Sequence, residues 1–145
     1  MAEMDPREAF ALELSRVSRR WRTRLDERLK VTGLTQARWS TLLHLFRGGD
    51  CMTQRELALR VGIEGPTLVR LLDALEAQGL IERLPVEGDR RAKHIRLTDA
   101  AQPLLGEINR IAADLRREIF ADLHSDDLDT GLMVLRSIAD RLERP

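Results

Sequence analysis

Between Thr53 and Gly79 the chain carries two short apolar segments with almost nothing between them, and that spacing limits the fold more than any other feature. The first opens with Thr53-Gln54-Arg55-Glu56, a capping box: the Thr hydroxyl accepts from the Glu amide, and the Glu carboxylate reaches back to the Thr amide. It carries Leu57, Ala58 and Val61 and breaks at Gly62. After a three-residue turn, Gly65-Pro66 opens the second, with Pro at a position where its missing N–H costs little. Leu68, Leu71, Leu72 and Leu75 then fall on one face, and Gly79 ends the helix. Two helices joined by a tight Gly-containing turn form a helix-turn-helix.

A β-hairpin follows at once. Ile81 to Val86 and Lys93 to Leu97 read as strands, with Glu87 to Ala92 as the loop. Leu84 and Val86, and likewise Ile95 and Leu97, alternate with polar or Pro neighbours, so each strand buries one face. Ahead of this block, Pro6 opens a helix with Phe10, Leu14, Val17, Trp21 and Leu25 in register, ended by Gly33. Thr35 caps a second helix carrying Trp39, Leu42, Leu43 and Phe46, which stops at Gly48-Gly49. Behind the hairpin, Thr98 caps a long helix with Leu104, Leu105, Ile108, Ile111, Leu115 and Ile119, and Pro103 bends its second turn. Ser125 caps a last helix with Leu128, Leu132, Leu135, Ile138 and Leu142. The expected fold is mainly α with a small β-hairpin: a winged helix-turn-helix flanked by long terminal helices. A chain of 145 residues builds one domain with a real core and is too short for two ordinary ones. The terminal helices carry more apolar length than a winged core of residues 51–98 can cover, which points to a second copy.

Charge matters here by position, because the net formal charge is zero. Arg83 to Arg96 holds five basic and two acidic groups, whereas residues 99–145 carry six basic and ten acidic ones. A basic focus opposite an acidic end can orient a protein on a polyanion, although most such clusters are solvated surface. No apolar run is long enough to span a bilayer, and MAEMDPREAF lacks the order of a signal peptide. The lone Cys51 excludes an intrachain disulfide and suits a reducing cytoplasm as a structural thiol.

On the second helix of the pair, Pro66, Arg70, Asp73 and Ala77 lie opposite the leucine face, with Thr67 and Val69 on its flanks. An α-helix fits the major groove, where Arg reads guanine and small apolar groups meet thymine methyls. The same spacing also describes an ordinary amphipathic core helix, and Asp73 suits a groove only if it orients Arg70 from i+3. In the loop, a carboxylate–guanidinium pair between Asp89 and Arg91 would stiffen the turn and leave Arg90, or Arg91 itself, to project. Arginine on a stiff hairpin suits a narrow A/T-rich minor groove, and Lys93 and Arg83 would be phosphate contacts. An isolated hairpin of this composition is better read as a solvated tip; directly after a helix-turn-helix, it is not.

Three segments carry a resemblance to the MarR family of bacterial transcription regulators, and within it to the SlyA group: LTQARW (Leu34–Trp39), GIEGPTLVRLLDALEAQGLIER (Gly62–Arg83) and GDRRAKHIRLTDAAQPLL (Gly88–Leu105). The last holds the family's wing pattern of Asp-x-Arg leading to Leu-Thr, here Asp89, Arg91, Leu97 and Thr98. The resemblance implies an obligate homodimer: residues 1–32 and 99–145 supply intertwined dimerisation helices, and 35–98 the winged part. It implies a palindromic operator, with recognition helices (65–79) about one DNA turn apart, ~34–36 Å, and wings at 86–93. Carried over by position, Pro66, Thr67, Val69 and Arg70 face the major groove, Arg90 and Arg91 the minor groove, and Thr53 and Gln54 the phosphates. Members typically repress, acting on nucleoid DNA in the cytoplasm, and the SlyA group can also activate by displacing a silencing nucleoid protein.

Many relatives release DNA on binding small aromatic acids. Here Arg16, Arg19 and Arg20 on the first helix, with Trp39 and His44 on the second, offer cations and an aromatic wall for a phenolic carboxylate. The same residues also fit a core Trp and a solvated arginine face. The peroxide-sensing branch places its reactive Cys in the first helix beside tyrosines, and this chain has no Tyr. His44, His94 and His124 lack zinc spacing, and no cofactor is implied. Two other functional classes stand beside a DNA-binding regulator. A winged-helix module for protein contacts has little use for Arg90, Arg91 and Lys93 together. An enzyme is not expected, since no phosphate loop, nucleophile–base pair or metal cluster appears.

Overall fold

A computed structural model describes residues 4–49 and 52–144. Cys51 lies outside them. The chain divides into two compact units, Met1–Ala112 and Ala113–Pro145.

In the first unit, α1 (Pro6–Leu29) starts where the Asp5 carboxylate accepts from the Arg7 amide at 2.8 Å, and only Leu25 and Leu29 along it are buried. The helix ends at Leu29 rather than at Gly33. A 3₁₀ turn, Lys30–Thr32, tightens its end, and Gly33 closes that turn at φ 72°. Thr35 caps α2 (Gln36–Gly48) as the sequence indicates, accepting from the Arg38 amide. Its buried side chains include Trp39, Leu42, Leu43 and Leu45, whereas Phe46 is exposed.

The helix-turn-helix forms as read. α3 (Gln54–Val61) carries both halves of the capping box, Glu56 N–H to Thr53 Oγ1 at 3.1 Å and Thr53 N–H to Glu56 Oε2 at 2.8 Å. Gly62 stops it at φ 72°, a backbone that a side chain would strain. α4 (Gly65–Ala77) buries Leu68, Leu71, Leu72 and Leu75.

Three strands make one antiparallel sheet in the order β1-β3-β2, with β1 at Met52–Thr53, β2 at Ile81–Val86 and β3 at Asp89–Leu97. The two-residue β1 is too short to leave a period in the sequence; it places Met52 opposite Ile95 and Thr53 opposite His94. The hairpin differs from the expected one, because β3 begins at Asp89 and the turn is only Glu87-Gly88. The ladder is irregular there. Pro85 lies opposite Lys93 and Val86 opposite Asp89, so β3 advances four residues while β2 advances one, and Arg90, Arg91 and Ala92 bulge out unmatched. Ile81 and Ile95 are buried; Leu84, Val86 and Leu97 are half-buried.

Thr98 does not cap a helix through its side chain. Its hydroxyl donates to the Gly79 carbonyl at 2.5 Å and its amide to the Leu80 carbonyl at 3.1 Å, tying the end of β3 to the turn before β2. A 3₁₀ turn, Asp99–Ala101, follows, so Pro103 falls in the first turn of α5 (Gln102–Ile119), where a proline is tolerated, rather than in a second turn that it would bend. Leu105, Ile108, Ile111 and Ala112 of this helix are buried.

The second unit holds the end of α5 and α6 (Ser125–Glu143). Ser125 is the first helical residue and not the cap; His124 occupies that position, its carbonyl accepting from the Leu128 amide at 3.1 Å. Asp126 and Asp127 sit in the first turn, where the helix dipole favours acidic groups. Leu115 is buried, but no residue of α6 is: Leu128, Leu132 and Leu135, at i, i+4 and i+7, are exposed. No described helix is long and apolar enough to cross a membrane.

Candidate nucleic-acid interface

The buried leucines of α4 fix which side of the helix is free. Pro66, Thr67, Val69 and Arg70 are all exposed, with Val69 at 37%. The N-cap residue, Glu64, makes no capping bond with its side chain. The start of α4 is therefore open to an acceptor, and helix N-termini favour anions.

A groove of about 430 Å³ joins this helix start to the N-terminal end of α3 and to the wing. Thr53, Gln54, Asp89, Arg91 and Lys93 line it, over a floor that includes Ala58, Leu68 and Ala92. Residues separated by up to forty positions in sequence are thus gathered on one concavity with a cationic rim. Arg55, which the sequence reading passed over, lines it as well. It follows Gln54 in the first turn of α3, where side chains lean back toward the helix N-terminus; that position was the available signal.

Asp89 is a brace, though not of the expected kind. Its Oδ1 accepts from the Arg91 backbone amide at 2.9 Å, an Asx-type turn, so the Arg91 guanidinium is left to reach outward. Arg90, Arg91 and Lys93 are all exposed, and the first two ride on the bulge. Arg96, by contrast, is tied across the strands to Glu82, Nε to Oε1 at 2.6 Å.

Arg83 is held by two carboxylates. Its Nη2 lies 2.5 Å from Asp73 Oδ1 and 3.0 Å from Glu76 Oε1, and its backbone amide donates to Glu76 Oε2 at 3.1 Å. The guanidinium and amide of Arg83 together hold the Glu76 carboxyl below the usual carboxylate range. Asp73 therefore faces Arg83, not Arg70.

The five residues expected to hold an aromatic acid are not gathered on this groove. Trp39 is buried, its indole N–H donating to Asp26 Oδ1 at 3.0 Å, and it presents no open face. Arg16 bonds Glu13, and Arg19 and Arg20 are exposed on α1. His44 is half-buried, and burial together with Arg47 and Arg60 pushes its imidazole below the ordinary range. None of the five lines the groove, nor a second concavity of about 640 Å³ that includes Phe46, Arg96 and Gln102.

Residues 32–92 match the MarR_2 model, described as MarR family. Among solved structures, the chain is 51% identical to the transcriptional regulator PA3341, covering 92% of this chain and 98% of that one at a TM-score of 0.86. It is 26% identical to apo wild-type MarR from E. coli, covering 94% and 98% at 0.76. It is 25% identical to AbsC, a MarR family transcriptional regulator from Streptomyces coelicolor, covering 98% of both chains at 0.80.

Proposed function

This chain belongs to the MarR family of transcriptional regulators, and from that premise we propose that two copies of it clasp a palindromic, A/T-rich operator and control the gene beside it, in most settings as a repressor. The observation that carries this reading is the groove: α3, α4 and the wing bring Thr53, Gln54, Arg55, Arg91 and Lys93 to one concave face. Each has a separate task. Pro66, Thr67, Val69 and Arg70 enter the major groove, where the Arg70 fork suits guanine and Val69 suits a thymine methyl. Thr53, Gln54, Arg55 and Lys93 hold phosphates and fix register without reading sequence. Arg90 and Arg91, braced by Asp89, enter the minor groove, whose narrow A/T stretches attract guanidinium groups.

The second copy is called for by what a single chain leaves uncovered. Phe10, Leu14 and Val17 on α1, and Leu128, Leu132 and Leu135 on α6, form exposed apolar stripes at helical spacing. Intertwined terminal helices would cover both and set two reading heads a DNA turn apart. The protein would act on nucleoid DNA in the cytoplasm, and the LTQARW segment and the wing pattern support a reading within the SlyA group.

In vitro selection from random duplexes tests the whole reading. The expected product is an inverted repeat with half-site centres 10–10.5 base pairs apart or a multiple of that. Recovery of unrelated sequences, bound no better than the starting pool, would refute it.

A further inference from the structure

We propose that Arg83 is a positioning residue that locks the wing to the recognition helix, so that the two enter DNA as one rigid reading head. The proposal rests on the DNA-binding reading above. Its basis is the convergence of three groups on one side chain. Asp73 and Glu76 lie one turn apart on the C-terminal half of α4, and Arg83 is the third residue of β2, at the base of the wing. Arg83 spans them with its planar fork, at 2.5 Å to Asp73 and 3.0 Å to Glu76. Its own backbone amide closes onto the same Glu76 carboxylate at 3.1 Å. The bond is therefore made by main chain as well as side chain, and it fixes where the strand leaves the helix rather than only where a side chain rests. The Arg83 side chain is 23% exposed, against 56% for Asp73 and 40% for Glu76.

Charge gives the arrangement a purpose beyond stiffness. Asp73 follows Arg70 by three residues, about 60° around the helix, on the side that the leucines leave free. Two bare carboxylates there would repel the phosphates flanking the major groove. Arg83 offsets that repulsion from within the protein, and in doing so gives up the phosphate contact that its position in the basic run suggests. β2 is also an edge strand, so Glu76 satisfies an N–H that no neighbouring strand reaches.

The test uses the full-length protein, its selected operator and a random duplex of equal length, with hydroxyl-radical footprints taken at saturating protein. Arg83→Ala is expected to weaken operator binding about tenfold and random-duplex binding less than about threefold, a coupling typical of residues in one network. Protection of the minor-groove segment under the wing should disappear while protection by α4 remains. Arg83→Lys keeps the charge without the fork and should fall between. The double variant Asp73→Asn/Glu76→Gln keeps the shapes and frees the guanidinium, so its random-duplex affinity should rise about threefold, roughly one added phosphate contact, and its specificity ratio should drop.

Equal losses on both duplexes, with a smaller salt dependence, are what a phosphate contact at Arg83 gives, and they would overturn the proposal. So would an unchanged footprint and ratio in Arg83→Ala, whatever its melting temperature. Should that variant fold poorly, the double variant still decides, since an unaltered ratio there also overturns it. Wild-type protein that shows no operator preference would instead bring down the DNA-binding reading beneath it.

Discussion

At the scale of single residues, the interface depends on which polar groups are already spent inside the protein. Arg83, Arg96 and Arg16 are held by carboxylates, whereas Arg70, Arg90, Arg91 and Lys93 are exposed and have no such partner among the described residues. Arg70→Ala should therefore cost operator binding about 1–3 kcal/mol while random DNA loses far less, the pattern of a base-reading fork; equal losses in a competition titration would deny it that role. The exposed Arg70 and Val69 followed from the leucine period alone, because a helix with one face buried has only one other to offer. The Asp89 brace was legible with the right pair of residues but the wrong donor: the sequence suggests the Arg91 guanidinium, and the backbone path brings the Arg91 amide instead. The Arg83 pairing was not legible at all, since it joins positions ten and seven residues apart across a turn.

At the scale of elements, local signals set several helix starts, at Pro6, Thr35 and Thr53. The Thr53 capping box formed as written, and Thr53→Ala should lower stability by about 1 kcal/mol, or roughly 2–4 °C in melting temperature for a chain of this size. Calorimetry at neutral pH would check it; no loss would mean that β1 pairing alone holds the start of α3. Thr98 looked equivalent, but its hydroxyl is taken by the Gly79 carbonyl, nineteen residues back, which no local motif announces. The wing was mis-bounded for a similar reason, because a bulge has no period. His44 in the second half of α2 gives the fold a pH dependence whose sign follows from its depressed imidazole. The unfolded chain takes up that proton near the ordinary value, about 6.5, and the folded chain only below it. Stability from this group is thus present above about pH 6.5 and is lost as pH falls. His44→Gln should flatten the decline in melting temperature from pH 7 to 5.5; an unchanged decline would assign it to other groups.

At the scale of the molecule, two surfaces divide the work. Phosphate contacts make affinity fall with salt by about 0.9 logarithmic units per decade for each phosphate neutralised, so Lys93→Ala, altered in both copies, should reduce the slope by roughly 2. A slope that stays put would remove Lys93 from the contact list. On the proposed reading pairing belongs to the other surface, and Leu132→Glu with Leu135→Glu should yield a monomer in sedimentation that binds operator at least tenfold more weakly. An intact dimer would place the interface elsewhere. The need for a cover was visible in the sequence as surplus apolar helix, because stripes such as Leu128, Leu132 and Leu135 find no buried seat in one chain. How that cover is shaped was not, since it depends on a second molecule. The stripes also lie wholly outside residues 52–97, and this has a consequence for heredity. On the proposed reading, a copy spoiled at Arg70 or Arg91 would keep everything needed to recruit a partner, and each sound copy it captured would lose half of its grip on a two-part site. In a cell carrying both alleles such a lesion is expected to behave as dominant, while one that ruins the α6 stripe would remove only itself and stay recessive.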